Sequence, residues 1–180
     1  MNTKKIVITG GPGTGKSSII NELKQRGYTC FEEISRQVIL DARKEGIDQL
    51  FLTNPLLFSE LLLKGRTNQF IEATNSATQF TFLDRGIPDV IAYMEYIGDT
   101  YPKDFEASCK ENVYDHVFIL APWQEIYKND NERYESFEQA VAIHHKLLDT
   151  YSKYDYNILD VPFCSVEERA NHIINCIQSN

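Results

Sequence analysis

Apolar residues along this chain fall into two rhythms. Short dense runs at 5–9 (KIVIT), 28–31, 80–83, 116–120 and 156–159 have the length and the β-branched or aromatic character of buried strands. The segments between them repeat their apolar positions every three or four residues, as helices do. The first helix should begin inside a Gly-rich loop and run to about residue 25, with Gly27 as its left-handed closing residue. Ile34, Val38 and Ala42 mark one face of a second helix over 34–44. Asn54-Pro55 is a cap followed by a first-turn proline, and it opens a long helix carrying Leu57, Leu61 and Leu62. A further helix is expected over 86–96. Ser136-x-x-Gln139 reads as a capping box ahead of Phe137, Val141, Leu148 and Tyr151. Ser165-x-x-Glu168 does the same for a last helix that buries Ala170, Ile173 and Ile177. Strands separated by helices require crossover connections, so the expected class is α/β, a mostly parallel sheet covered on both faces.

No repeat, low-complexity tract or Pro/Gly/Ser-rich linker interrupts the 180 residues, which reads as a single domain over 1–180. No run approaches the roughly 18 apolar residues of a membrane span, and the opening MNTKK passes directly into a structured motif, so a cytoplasmic location is expected. The 18 basic residues against 26 acidic ones leave a net charge of −8 with no basic cluster, which argues against extended nucleic-acid binding. A phosphate ligand must therefore be held by local positive groups. The four cysteines, Cys30, Cys109, Cys164 and Cys176, lie far apart without metal-ligand spacing and read as small buried hydrophobes.

Gly10-Gly11-Pro12-Gly13-Thr14-Gly15-Lys16-Ser17 matches G-x-x-x-x-G-K-[ST] in full, with an apolar strand before it and a helix after it. The glycines allow successive N–H groups to turn inward as an anion nest, and the following helix points its positive end there. Gly11, Pro12, Gly13, Thr14, Gly15, Lys16, Ser17 and Ser18 are the expected nucleotide-binding residues, and the ligand is a purine nucleoside triphosphate with Mg²⁺. In this arrangement Lys16 bridges the β- and γ-phosphates and Ser17 offers its hydroxyl to the metal.

Other chemistry clusters at strand ends. Asp84 closes the run FTFLD at the edge where a parallel sheet binds ligands, so it is placed to reach the metal. The alternative is a helix N-cap. Arg85 follows it, where water-activating motor ATPases carry Glu, and suits the clamping of a second anionic group; a salt bridge is the other reading. Glu32-Glu33-Ile34-Ser35-Arg36 follows the second strand, and a carboxylate there could take the proton of an acceptor hydroxyl. It could equally be an acidic first turn paired with Arg36. The polar stretch 128–135 fits a mobile segment, lid-like over about 124–136, that brings in a cation, with Arg133 the candidate and Lys128 behind it. Trp123 is either a ligand-facing or a rim aromatic, and His144-His145 read as structural or surface residues.

With these motifs in hand the chain resembles the NadR/TRPL-translocation-defect-like AAA-domain proteins, small P-loop ATPases related to ribosylnicotinamide and nucleoside kinases. The likeness runs over nearly the whole chain and rests on ITGGPGTGKSS, FEEISRQVI, FLDRGIPDVIAY, APWQEIYKNDNERYESFEQAVAIH and VPFCSVEER. It implies a three-layer kinase-like P-loop fold with sheet order 2-3-1-4-5, favours Glu33 over Glu32 as the base, and makes Arg133 the lid arginine. The expected activity is transfer of the γ-phosphoryl group of ATP to a small hydroxyl-bearing metabolite such as a nucleoside. The competing expectation is a nucleotide-dependent switch or ATPase module, using ATP or GTP, that recruits a partner. Against GTP, Asp84 is followed by Gly86 two residues on but by Ile87 three residues on, which breaks D-x-x-G. The only approach to N-K-x-D, Ser152-Lys153-Tyr154-Asp155, precedes a strand instead of following one.

Overall fold

The computed structural model describes residues 2–127 and 135–178. Five parallel strands, β1 (Lys4–Gly10), β2 (Thr29–Phe31), β3 (Phe80–Asp84), β4 (His116–Leu120) and β5 (Ile158–Asp160), form one sheet in the order β2-β3-β1-β4-β5. The expected α/β class and strand order are therefore those of the molecule. Alternate side chains of the central strand serve opposite faces. Ile6 and Ile8 pack with Phe82 and Phe118 beneath α1 (Lys16–Gln25) and α8 (Val166–Gln178). Val7 packs with Leu83, Val117 and Ile119 toward the other layer. That layer holds α2 (Ser35–Lys44), α3 (Leu50–Thr53), α4 (Pro55–Thr74), α5 (Pro88–Ile97), α6 (Lys103–Glu111) and α7 (Phe137–Lys153). No helix among the described residues is long and apolar enough to cross a membrane.

Local chemistry sets the helix ends. Gly27 sits at φ +86 beyond α1, a conformation a side chain would strain. The Asn54 side chain accepts from Leu57 N at 3.1 Å with Pro55 behind it, and Ser136 with Gln139 completes a capping box at α7. The Ser165 hydroxyl accepts from Glu168 N at 3.3 Å while Glu168 reaches back to Ser165 N at 3.0 Å. α3 and α6 were not among the expected elements; α3 is a single turn, and α6 has only Phe105 and Cys109 as buried positions, too few to show a stripe.

Three readings of helix faces and cysteines need correction. On α7 the core stripe is Ala140, Ile143, Leu147 and Tyr151, while Phe137, Val141 and Leu148 are only half-buried. On α4 the buried face runs through Phe58, Leu62, Arg66 and Ala73, and Leu61 is exposed. Only Cys109 is a buried cysteine; the other three are partly exposed, and all four are free thiols.

Phe82 lies between the sheet and α1 with no exposed surface. Phe82→Ala should lower the free energy of unfolding by about 3–5 kcal/mol in urea titrations, through lost burial plus the cavity left behind. A loss below about 1 kcal/mol would mean this face of the sheet is not the close-packed core described here.

Candidate active site

β1 delivers Gly10 to the C-terminal edge of the sheet, where the chain turns through residues 11–15 into α1. Gly15 holds φ +87, and a Cβ there would approach Arg169 Nη1 to 2.8 Å. Residues 13–18 line a polar cavity of about 390 Å³ together with Glu33, Asp84 and Arg85. Of the loop residues expected to bind nucleotide, Gly13, Thr14, Gly15, Lys16, Ser17 and Ser18 border this cavity. Gly11 lies instead against the backbone of Ala140, and Pro12 lines a neighbouring cavity. The Lys16 ammonium is folded back on the loop, donating to the carbonyls of Gly10 and Gly11 at 2.8 Å each. Burial, reinforced by the nearby Arg85 charge, lowers its pKa to about 7.

Register places Asp84 beside Ile8, two residues before the loop begins. Its Oδ1 is buried with no hydrogen-bond partner, and burial raises the carboxyl pKa despite the attraction of Lys16 and Arg85. Asp84 does not cap α5; the backbone N–H of Gly86 is taken by Asp89 at 2.9 Å. An orphaned carboxylate oxygen and the Ser17 hydroxyl on one cavity wall are hard oxygen donors of the kind Mg²⁺ selects. Among the described residues no group of three His, Cys, Asp or Glu side chains could hold a metal. An ion here would complete its shell from phosphate and water, as Mg²⁺ commonly does.

Behind the phosphate cavity sits a buried charge network. Arg85 adopts φ +75, rare for a side-chain-bearing residue, while its N–H continues the ladder to Ile8 O at 3.1 Å. Its Nε meets Glu33 Oε2 at 2.5 Å and its Nη1 meets Asp89 Oδ1 at 3.2 Å. Arg66, from the middle of α4, donates to both oxygens of Glu33 at 3.1 and 3.3 Å and to Gly86 O at 3.2 Å. Glu33 also caps α2, accepting from the N–H groups of Ile34 and Ser35 at 3.0 and 3.2 Å. Burial opposes the Glu33 charge, yet the two guanidiniums outweigh it and hold the carboxyl below its usual range. For Arg85, too, burial is overcome by Glu33, Asp89 and Asp84, which keep its pKa above the ordinary value. Glu32, by contrast, is exposed and pairs with Lys24.

Two more cavities adjoin the loop. One of about 320 Å³ has apolar walls from α2, α3, α4, α5 and α7, including Ile39, Phe51, Leu62 and Leu147, and shares Glu33, Arg36 and Arg85 with the phosphate cavity. The other, about 640 Å³, lies between the loop and the start of α8, where Trp123 stacks on Phe163 at 5.1 Å between ring centroids. His144 is half-buried, its pKa lowered first by burial and then by His145, and neither histidine lines these cavities. Lys128 and Arg133, the lid candidates within 124–136, lie outside the described residues.

The sequence reading missed Arg66, Asp89, Phe163 and Arg169. One signal was present for Arg66: Gly65 stands in the middle of a long helix, and its missing Cβ makes room for Ile34 above the site. Asp89 stood in GIPDV without a partner that periodicity could reveal.

Comparison with known proteins agrees with this fold. A family model described as an AAA domain matches residues 5–169. A comparison with curated proteins found no match. Among solved structures, deoxyadenosine kinase from M. mycoides, with dCMP and dCDP bound, is 20% identical with a TM-score of 0.70, covering 98% of this chain and 100% of its own. NadR in complex with NR is 17% identical with a TM-score of 0.75; the match covers 98% of this chain but only 51% of NadR. Thymidylate kinase from Candida albicans is 18% identical with a TM-score of 0.68, over 99% of this chain and 92% of its own. At such identities the likeness is one of fold.

A lysine lowered to about 7 in the free protein is largely neutral at pH 8 and must recapture a proton when an anion settles against it. Binding of ATP at about pH 8 should therefore take up close to one proton, read by calorimetry in buffers of different ionisation enthalpy. Lys16→Met should abolish the uptake; equal uptake in both proteins would place the titration elsewhere. In the free protein the same depressed pKa makes stability rise with pH between about 7 and 10.5, a slope the Met variant should lose.

Proposed function

This chain belongs to the AAA-domain family of small kinase-like P-loop proteins, and from that premise we propose that it transfers the γ-phosphoryl group of ATP to a hydroxyl of a small, nucleoside-like acceptor. The observation that carries this reading is the shared wall. Glu33, Arg36 and Arg85 border both the phosphate cavity and the apolar cavity, so a molecule seated in the second meets the polyphosphate end of a ligand in the first. The apolar cavity is lined by three guanidiniums and three carboxylates among its hydrophobic residues, a balanced set that suits a neutral acceptor better than a nucleotide monophosphate. The Trp123–Phe163 side offers flat apolar surface for the nucleobase.

In the proposed reaction the acceptor oxygen forms a bond to the γ-phosphorus as the bond to the β–γ bridging oxygen breaks. ADP leaves and the acceptor proton is released. Phosphoryl transfer of this kind asks the protein mainly for placement and charge. The loop amides and Lys16 hold the polyphosphate, and Arg85, on the shared wall, faces the charge that develops on the transferred group. Ser17 and Asp84 would hold Mg²⁺, which supplies further neutralisation of the phosphate oxygens. Glu33 is a carboxylate kept ionised by Arg66 and Arg85, hence a weak base but a firm hydrogen-bond acceptor. Its role is to orient the acceptor hydroxyl in line with the phosphorus.

Adding a panel of nucleosides and vitamin-like hydroxyl compounds to the purified protein with Mg·ATP should stimulate ADP release with at least one of them. Uniformly unstimulated turnover, with nucleotide binding intact, would instead favour the partner-recruiting switch. Glu33→Gln should reduce kcat by about 10²-fold, the cost of a misplaced acceptor, while leaving the Kd for ATP near the native value. Equal loss of binding and turnover would remove Glu33 from the acceptor side.

A further inference from the structure

Arg169 stands on α8, within one turn of its start, yet it is among the most buried charged residues of the described chain, with 2% of its surface exposed. Its Nη2 donates to Thr14 O at 2.9 Å across 155 residues of sequence. Nη1 fills the space a Cβ on Gly15 would need, and the guanidinium carbon lies 5.8 Å from the centre of the Trp123 ring. The Nε–H has no hydrogen-bond partner, and no carboxylate among the described residues forms an ion pair with this side chain. A desolvated cation without a counter-charge costs the free protein stability. Nothing in the packing of α8 requires it, because Ala170, Ile173 and Ile177 already bury that helix against the sheet.

The Thr14–Gly15 peptide explains the placement. In a trans peptide the carbonyl and the following N–H point in opposite directions. By holding the Thr14 carbonyl toward α8, Arg169 turns the Gly15 N–H away from α8, as an amide of the anion nest must be turned. We propose that Arg169 is a positioning residue for polyphosphate binding: from the side of the Trp123–Phe163 cavity, which it lines, it fixes one peptide of the phosphate loop so that the Gly15 amide faces the anion. This rests on the reading of the loop as a polyphosphate site. It also gives a reason for Gly15 beyond backbone freedom, since the arginine occupies the place of its side chain.

The test uses inorganic tripolyphosphate beside ATP, so that the phosphate loop is probed with and without a base. In the native protein both should bind. Arg169→Met should leave the melting temperature of the free protein unchanged or higher, as expected when a buried unpaired charge gives way to an apolar side chain of similar length. The same variant should raise the Kd for ATP and for tripolyphosphate alike, by about tenfold, the loss of one charge-assisted contact. Arg169→Lys keeps the charge but not the planar fork, and should recover part of the affinity; it carries the test should the Met variant fail to fold. Unchanged Kd values in both variants would overturn the proposal. So would weaker ATP binding with tripolyphosphate unaffected, which would assign Arg169 to the base beside Trp123. Failure of the native protein to bind either ligand would instead remove the polyphosphate reading itself.

Discussion

Asp89 is the point on which the site's geometry turns. One buried carboxylate accepts from Thr9 Oγ1 at 2.6 Å, Gly86 N at 2.9 Å, Arg85 Nη1 at 3.2 Å and Tyr151 O–H at 2.6 Å. Those donors come from the end of β1 just before the phosphate loop, from the bend after β3, and from α7. Four donors on two oxygens can compensate a charge that burial alone would forbid. Burial pushes the Asp89 pKa up, but Arg66, Arg85, Thr9 and Tyr151 reverse the direction and hold it ionised. The left-handed backbone of Arg85 is possible because its surroundings over-determine it, with the ladder to Ile8 on one side and Asp89 on the other.

Charge is organised in the same way on a larger scale. The chain carries a net charge of −8, an unfavourable field for any phosphate. The cations near the loop are therefore held in fixed places at some cost. Arg66 and Arg85 are matched by Glu33 and Asp89, and they keep their charge despite burial. Lys16 and Arg169 are different: the first is satisfied only by backbone carbonyls, the second by one carbonyl and a ring face. Both have their pKa lowered, first by burial. Groups left short of negative charge beside an amide nest are what an acidic protein needs in order to attract a polyanion locally.

How much of this the sequence disclosed depends on the range of each interaction. The strands, the caps at Asn54, Ser136 and Ser165, and the Gly-rich loop are written in contiguous residues, and they stand where the pattern put them, except that β5 begins two residues later than expected. The place of Asp84 was legible because a strand end is a local feature. Helix faces were legible only approximately; on α7 the stripe shifted, with Phe137 and Val141 only half-buried while Ala140 lies against Gly11 of the loop. The partners of Glu33 were not legible at all. Arg66 lies 33 residues away on another helix, and Arg169 meets Thr14 across 155. Periodicity marked position 66 as part of a helix but could not announce that an arginine would be buried on the core side. Only tertiary packing decides such pairs.

The choice between a phosphotransferase and a switch comes down to what the second cavity is for. A switch needs its nucleotide site and a surface that responds to it; the proposed phosphotransferase also needs a second, half-open apolar cavity that shares a wall with the loop cavity. Such a chamber is costly, because Phe51, Phe58, Leu62 and Leu147 could have closed over it and buried more surface. Its polar end is equally specific. Glu33 is held by two arginines from different elements, and both of its oxygens are directed by bonds to Arg66, Arg85 and the amides of Ile34 and Ser35 at the start of α2. A carboxylate fixed this firmly between the second cavity and the loop is what the proposed reaction would use to orient a hydroxyl.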